Sequence, residues 1–592
     1  MSIHIERLTA LRAALAADRL DGFIVPIADE HGSEYVGAYA ERLKWLTGFT
    51  GSAGTALVFA SSAAFLTDGR YTLQAAAEVH PAYDRVNSVE TPLVTWLATN
   101  IAPDTRVGFD PWLATERVAQ GWRKAIEGRG ATLVAVAVNP IDALWRDRPA
   151  PSPAPLTVHP EALAGRSAAE KRGQIATALE KAGADAAIVT ALDGIAWGFN
   201  IRGLDVARTP VALAFAILHR DGTADLFIDD AKLTPEVRAH LGNSVRVAPY
   251  AAFATAVGQL AGMTVLADPD RTSHAVFAAL SEGGARVLEA RDPTVDPKAI
   301  KSAAEIAGAR AAHRRDGAAL TRFLHWIGAE ALNGELDEIT ATARLQAFRA
   351  EDGLLKDLSF DTIMGSGPNG AIMHYRVSLQ TNRKILPGEL LLIDSGGQYQ
   401  DGTTDVTRTI AIGDPTPEMC DRFTRVLQGH IAVASAVFPV GARGSQLDGL
   451  ARRPLWSIGT DYAHGTGHGV GSYLAVHEGP QRLAAYGGGD EPLKSGMICS
   501  NEPGYYKPGH YGIRIENLVL IEEAPIQGAE KLMLGFENLT LAPIDRALID
   551  PTLLTENERD WLNAYHALVH RQLGPLLPPD TAAWLADATR AL

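Results

Sequence analysis

Two stretches of the amino-terminal half carry the same hydrophobic signature. Residues 7–25, RLTALRAALAADRLDGFIV, place apolar side chains at helical spacing and end in a short apolar run. That pattern predicts an amphipathic helix feeding a buried strand. Residues 171–189, KRGQIATALEKAGADAAIV, repeat it. Each is followed by a Trp and a Gly-rich stretch, WLTGFTGSAG from Trp45 and WGFNIRG from Trp197. A tandem duplication of one helix-strand domain is the expectation. Between the copies, RPAPSPAP from Arg148 to Pro155 reads as a linker, because proline lacks an amide donor and favours extended chain. A softer boundary falls in DPTVDPKAIKSAAE near 292–305. The expected domains are 1–150, 156–300 and 301–592, in an α/β (α+β) fold.

The third segment changes character. Roughly thirty residues of helical pattern containing AAEIAGARAAHRRDGAALTRFLHWI are followed by the strand-like runs LLLIDSG, GTTDVTRTIAI, SGMICSNEPGYY and GIRIENLVLI. Near the end, LTENERDWLNAYHAL opens with Thr555 and Glu558 at capping-box spacing, which predicts a closing helix.

Acidic residues sit in these strands where a lone carboxylate is costly. Asp394 ends the apolar run LLLI, and Asp405 opens DVTRTIAI. Period-two alternation puts Asp405, Thr407 and Thr409 on one face and Val406, Ile410 and Ile412 on the other. Glu516 shares a side with Arg514 in GIRIEN, opposite Ile513 and Ile515, and Glu502 follows the apolar MIC just before Pro503-Gly504. Buried ionised acids require cations. His468, in HGTGHGVGSYLAVHEGP, is the expected fifth member. One imidazole among four carboxylates suits manganese, cobalt or zinc, and five ligands suit two metals about 3.5–4 Å apart rather than one.

Composition narrows the classes. The 592 residues are 46% hydrophobic and 21% charged, enough for several cores. A net charge of −15 argues against phosphate-backbone binding and leaves no nucleic-acid partner expected. Only Cys420 and Cys499 occur, so no disulfide framework is available. The opening residues, with Glu6 and Asp18, read as a helix of the mature fold rather than a signal peptide, and runs such as VALAFAIL at 211–218 are too short to span a membrane. The expectation is a cytoplasmic protein without a membrane partner.

The strings LLIDSG, GTTDVTRT, HGTGHGVG, SNEPGYY and GIRIEN resemble those of the aminopeptidase P branch of the pita-bread metallopeptidases. SEYVGAYAERLKWLTGFTGSAGTALVF, TDGRYTLQAA, ALWRDRP and DGIAWGFNIRG resemble the three-domain form of that family, with two creatinase-type domains before the pita-bread domain. The resemblance implies hydrolytic removal of the first residue from peptides with proline second. It implies two divalent metals per chain, manganese first among them, and a homodimer. Asp394 would chelate one metal, His468 with Glu502 the other, and Asp405 and Glu516 would bridge. Glu502 would also act as general base. His374, in GPNGAIMHY, would handle protons or steady the tetrahedral intermediate; His477, in VHEGP, would contact the scissile peptide oxygen; His464 would line the proline pocket; Arg70, in TDGRY, would bind substrate.

Other readings remain at this point. Prolidase, which cleaves a dipeptide with proline second, is the nearest; a creatine-type amidinohydrolase and a metal-free pita-bread binding module are further away, since neither needs all five ligands. GSGPNG at 365–370 fits a dinucleotide-binding string, but Pro368 and the following AIMHYRV offer no helix start.

Overall fold

The protein is described here from a computed structural model covering residues 2–485 and 487–592. The chain forms two compact units, Met1–Glu161 with Arg166–Val295, and Ala162–Gly165 with Asp296–Leu592.

In the first unit, α1 (Ile3–Ala17) buries Leu8, Leu11 and Leu15, the helical spacing that marks one face. It leads into β1 (Gly22–Pro26). Further strands β2 (Thr55–Phe59), β3 (Ala63–Thr67), β4 (Asp84–Asn87), β5 (Arg106–Phe109) and β6 (Thr132–Ala135) build a sheet of order β4-β3-β2-β1-β5-β6. The second copy begins with α2 (Ala168–Ala182), which has a capping box of Ser167 and Glu170 and ends at Gly183, φ 70°. Its strands are β7 (Ala186–Val189), β8 (Ala214–His219), β9 (Ala224–Ile228), β10 (Val245–Ala248), β11 (Thr264–Ala267) and β12 (Arg286–Glu289), in the order β10-β9-β8-β7-β11-β12. The two orders correspond strand for strand. So do the senses of pairing: β1–β2 and β7–β8 are antiparallel, β1–β5 and β7–β11 parallel, β3–β4 and β9–β10 parallel. The duplicated helix-strand pattern is therefore a duplicated topology.

The second unit opens with α3 (Ala303–Glu330), capped by Ser302 and Glu305, and α4 (Glu338–Ala350). Strands β13 (Ile363–Ser366), β14 (Leu390–Ser395) and β15 (Val406–Ala411) form an antiparallel sheet of order β13-β14-β15. Leu391 and Ile393 of β14 join Phe323, Leu324 and Ile327 of α3 in one core. Burying each such side chain contributes ~1.5–3 kcal/mol. Alternation then commits Asp394 to the opposite face, across from Thr407 of β15.

A larger antiparallel sheet contains β16 (Phe438–Pro439), β17 (Gly467–Gly469), β18 (Glu478–Leu483), β19 (Ile498–Asn501), β22 (Asn517–Glu523) and β23 (Met533–Asn538), in the order β16-β23-β22-β19-β17-β18. The hairpin of β20 (Gly504–Lys507) and β21 (Tyr511–Arg514) stands beside it in sequence. Helices α5 (Pro417–Ala434) and α6 (Gly444–Trp456) precede β17, and α7 (Glu556–Leu573) opens on the expected Thr555–Glu558 capping box. A further helix, α8 (Pro579–Ala588), follows.

Two sequence expectations need adjustment. GIRIENLVLI is not one strand: β21 ends at Arg514 and β22 begins at Asn517, so Glu516 lies in the break. Asp405 immediately precedes β15 rather than opening it.

Candidate metal centre

Five strand ends converge. Asp394 comes from β14, Asp405 from the approach to β15, His468 from β17, Glu502 from the end of β19, and Glu516 from the β21–β22 break. Asp394, Asp405, His468 and Glu516 are buried and Glu502 is half-buried. One ligand atom each of Asp405, His468 and Glu516 lies within 4.8 Å of the others. His468 Nε2 stands 3.6 Å from Asp405 Oδ2 and 3.5 Å from Glu502 Oε1. Those gaps are long for hydrogen bonds but match two donors on one ion, since bonds of ~2.1 Å at near-tetrahedral or octahedral angles separate donors by ~3–3.5 Å.

The imidazole is presented in the ligand tautomer. His468 Nδ1–H donates to the Gly469 carbonyl at 2.9 Å, which leaves the Nε2 lone pair toward the acids. Ser500 locks both neighbours, accepting from the His468 amide at 2.9 Å and donating to Glu502 Oε1 at 3.0 Å. The glycine before the histidine is sterically required, for a Cβ at Gly467 would lie 1.9 Å from the Ser500 carbonyl.

Glu516 is held twice by Thr407, whose hydroxyl donates to Oε2 at 2.7 Å and whose carbonyl accepts from the Glu516 amide at 3.1 Å. Its own carbonyl accepts from the buried Arg408, which also donates to the carbonyls of Thr407, Ala542 and Pro543 and to Tyr565. Arg408 thus lies on the strand face that the alternation assigned to Val406, Ile410 and Ile412.

Electrostatics makes the same point as geometry. Arg514, paired with Asp394 at 2.5 Å, also acts on Asp405, Glu502 and Glu516 as a nearby positive charge. Burial, then Glu516, Asp394 and Glu502, pushes the Asp405 carboxyl far above its ordinary range. Burial, then Glu502 and Asp394, does the same to Glu516. Burial raises Glu502 to about 7. Asp394 Oδ1 and Asp405 Oδ1 are buried with no hydrogen-bond partner among the described residues. Hard oxygen donors, one oriented imidazole and two orphaned buried oxygens fit divalent cations.

Three expected histidines lie near this cluster. His477 is half-buried and edge-on to His468, ring centroids 4.3 Å apart. His464 donates from Nδ1 to the Gly465 carbonyl, and its Nε2 accepts from Tyr506 Oη at 2.9 Å. That phenol, whose pKa burial pushes up to about 12, accepts in turn from Arg514 Nη1 at 2.7 Å. His374 is half-buried just after the short helical turn Gly367–Ala371, and the carbonyl of its neighbour Met373 accepts from Arg514 at 3.3 Å. Arg70 belongs to the first unit, where its guanidinium makes a two-point pair with Asp68 at 2.9 and 2.8 Å. Arg514, Tyr506, Ser500 and Thr407 were not identified as site residues from sequence. Arg514 carried a signal, as a charged residue alternating with isoleucines two positions from Glu516, and Thr407 another, by sharing a strand face with Asp405.

Strand-borne acids and one imidazole on antiparallel sheets define a metal-dependent hydrolase. Residues 307–523 match metallopeptidase family M24, and residues 532–592 match the C-terminal region of peptidase M24. Residues 7–143 and 147–305 each match a creatinase/prolidase N-terminal domain. A "Probable Xaa-Pro aminopeptidase P" of Neosartorya fischeri is 42% identical over 99% of this chain and 92% of its own length. The crystal structure of an X-prolyl aminopeptidase from Caenorhabditis elegans, described as a cytosolic enzyme with a di-nuclear active site, superposes with TM-score 0.95 at 34% identity, covering 100% of both chains. A recombinant prolidase from Thermococcus sibiricus gives TM-score 0.51 at 25% identity, covering 64% of this chain and 98% of its own. The chain belongs to metallopeptidase family M24, in the form that carries two creatinase-type domains ahead of the pita-bread domain.

Proposed function

We propose that this chain is an Xaa-Pro aminopeptidase, a dinuclear metalloenzyme that removes the first residue from peptides whose second residue is proline. The observation that carries the reading is the grouping of His468 with Asp405, Glu516 and Glu502, to which Asp394 is tied through Arg514. It stands within a fold shared end to end with an X-prolyl aminopeptidase. Full-length similarity to proteins named for Xaa-Pro aminopeptidase activity favours the longer-substrate enzyme over a dipeptidase.

Asp394 would hold one metal, His468 with Glu502 the other, and Asp405 and Glu516 would be shared between them. Two divalent cations held there supply Lewis-acid polarisation of the scissile carbonyl and a water nucleophile of lowered pKa. Manganese is the proposed metal, with cobalt and zinc compatible with the same donors. Glu502 accepts the proton of the attacking water. His374 would handle protons, including the one the departing proline nitrogen must gain, or steady the tetrahedral intermediate, and His477 would contact the scissile peptide oxygen. His464, fixed by Tyr506, lines the proline pocket, whose occupant has no amide hydrogen to satisfy. Arg70 of the first unit is proposed as substrate-binding on the resemblance alone.

The domain division 1–150, 156–300 and 301–592, a cytoplasmic location and a homodimer complete the proposal. Among the described residues no helix is long and apolar enough to cross a membrane. The deciding experiment is hydrolysis of a panel of Xaa-Pro-Yaa peptides and Xaa-Pro dipeptides, before and after chelation, with manganese, cobalt or zinc restored. Cleavage of the longer peptides only when metal is present supports the reading. Cleavage confined to dipeptides would make the chain a prolidase, and full activity after chelation would remove the metal mechanism.

A further inference from the structure

Beside the strand that carries His468, the second unit buries an ion triad that neither the ligand set nor the proposed mechanism uses. Glu478 opens β18, directly after His477, and is fully enclosed. Lys298 Nζ donates to Glu478 Oε2 at 2.6 Å, and Lys301 Nζ donates to Oε1. Lys301 also donates to the carbonyls of Lys298 and Ala299 at 3.1 and 3.3 Å. Both lysines are within a few per cent of complete burial. They lie on the short segment from Asp296 to Lys301 that leads into α3.

A buried carboxylate with two ammonium partners is a poor stabilising device, because desolvation of three charges offsets the attraction and apolar residues of similar volume would serve the fold as well. It is a good placing device. Glu478, held by both lysines, fixes the backbone immediately after His477, a residue just outside β18 whose ring stands edge-on to His468. The backbone there tolerates little drift, since a Cβ at Gly469, the residue paired with Glu478, would lie 2.4 Å from the Glu478 carbonyl. The loop between the two histidines has a second anchor, in which Gln398 Nε2 donates to the Leu474 carbonyl at 2.6 Å.

We propose that Lys298 and Lys301 are positioning residues for His477, acting through Glu478. The proposal rests on the assignment of His477 to the substrate site made above.

Two variants test it, Glu478→Gln, which keeps the shape and removes the charge, and the triple variant Lys298→Met, Lys301→Met, Glu478→Met, which replaces the whole triad with apolar groups. Metal content, thermal unfolding and turnover of an Xaa-Pro-Yaa peptide are measured beside the wild type. Amide hydrogen exchange over residues 470–483 is followed in the metal-free proteins, a readout independent of activity. The expected result for both variants is retained metal, faster exchange of the 470–477 amides, and kcat lowered ~10–100-fold, the usual effect of losing an outer-shell partner. KM should move much less. Lys298→Arg, which preserves the pairing charge, should keep most of the wild-type rate. Wild-type kcat per metal-loaded chain in either variant would overturn the proposal, as would unchanged exchange. Failure of every variant to fold would assign the triad to the fold alone and overturn it equally. A wild-type protein that does not cleave the peptide would refute the aminopeptidase reading, while the exchange data would still decide the placing role.

Discussion

Arg514 holds one oxygen of Asp394 and leaves the other, Oδ1, buried and unpartnered among the described residues. The same guanidinium reaches Tyr506 at 2.7 Å and the Thr407 hydroxyl at 3.2 Å, and Thr407 holds Glu516. One side chain therefore aims two proposed ligands and, through Tyr506, His464. With the Met373 carbonyl its planar fork serves four acceptors at once, which a lysine ammonium at the end of a flexible stem cannot reproduce. Arg514→Lys is expected to lower turnover or metal affinity by ~10–100-fold, as loss of an outer-shell partner usually does. Metal titration and peptide kinetics on the same preparation check this; wild-type values in both would show that Asp394 is placed without Arg514.

Asp405 groups with both His468 and Glu516, one donor atom of each lying within 4.8 Å of the others. Asp405→Asn should reduce metal content below two per chain and abolish turnover. Because Asp405 repels Glu516, Asp394 and Glu502 in the folded state, removing its charge should leave the metal-free fold no less stable. Elemental analysis with thermal unfolding is the measurement, and two retained metals with near-normal turnover would remove Asp405 from the ligand set.

His374 and His468 are expected to separate cleanly. A positioned acid–base group contributes ~10²–10⁴-fold in rate. His374→Ala should lose turnover by that order while keeping its metals. His468→Ala should lose metal too, since its Nε2 lone pair is the imidazole donor aimed at Asp405 and Glu502. Equal metal loss in both variants, or normal turnover in His374→Ala, would contradict the division.

Removing metal should change the pH dependence of stability in a defined direction. In the metal-free fold Glu502 is raised from the ordinary carboxylate range to about 7, and Asp405 and Glu516 are raised as well. Between the unfolded value of ~4.3 and about 7 the folded state binds more protons than the unfolded one. This contribution is fully present below the unfolded pKa and is lost as pH rises through the folded pKa. The chelated protein should therefore lose stability from about pH 4.5 to 7. Cations bind the deprotonated ligands, so the gap in unfolding temperature between loaded and chelated protein should widen over the same window. A gap that narrows would contradict the buried cluster.

Much of this architecture was legible locally. The helix-strand repeat at 7–25 and 171–189 announced two domains that prove to share one strand order. The Ser/Thr-x-x-Glu spacing placed the start of the closing helix at Thr555. An acid ending an apolar run marked Asp394 and one opening a strand-like run marked Asp405, because the cost of a buried charge depends on the residue and its immediate neighbours. Other features escaped because local periodicity says that a buried charge needs a partner without saying which. Arg408 sits on an apolar strand face only because the carbonyls of Ala542 and Pro543 and the hydroxyl of Tyr565 meet it there.

By itself, then, the sequence determined the helices, the strands, the duplication and the types of ligand, all consequences of short-range spacing and of resemblance in short strings. Only the tertiary structure decided the partners: Arg514 on Asp394 across 120 residues, Ser500 between His468 and Glu502, and Lys298 on Glu478 across 180 residues. It also decided that the chain breaks at Glu516, where the amide and side chain turn to Thr407 instead of continuing a strand ladder. Such choices follow from which charges a fold brings together after its strands have paired. That depends on contacts between distant segments, and no window of sequence contains both sides of them.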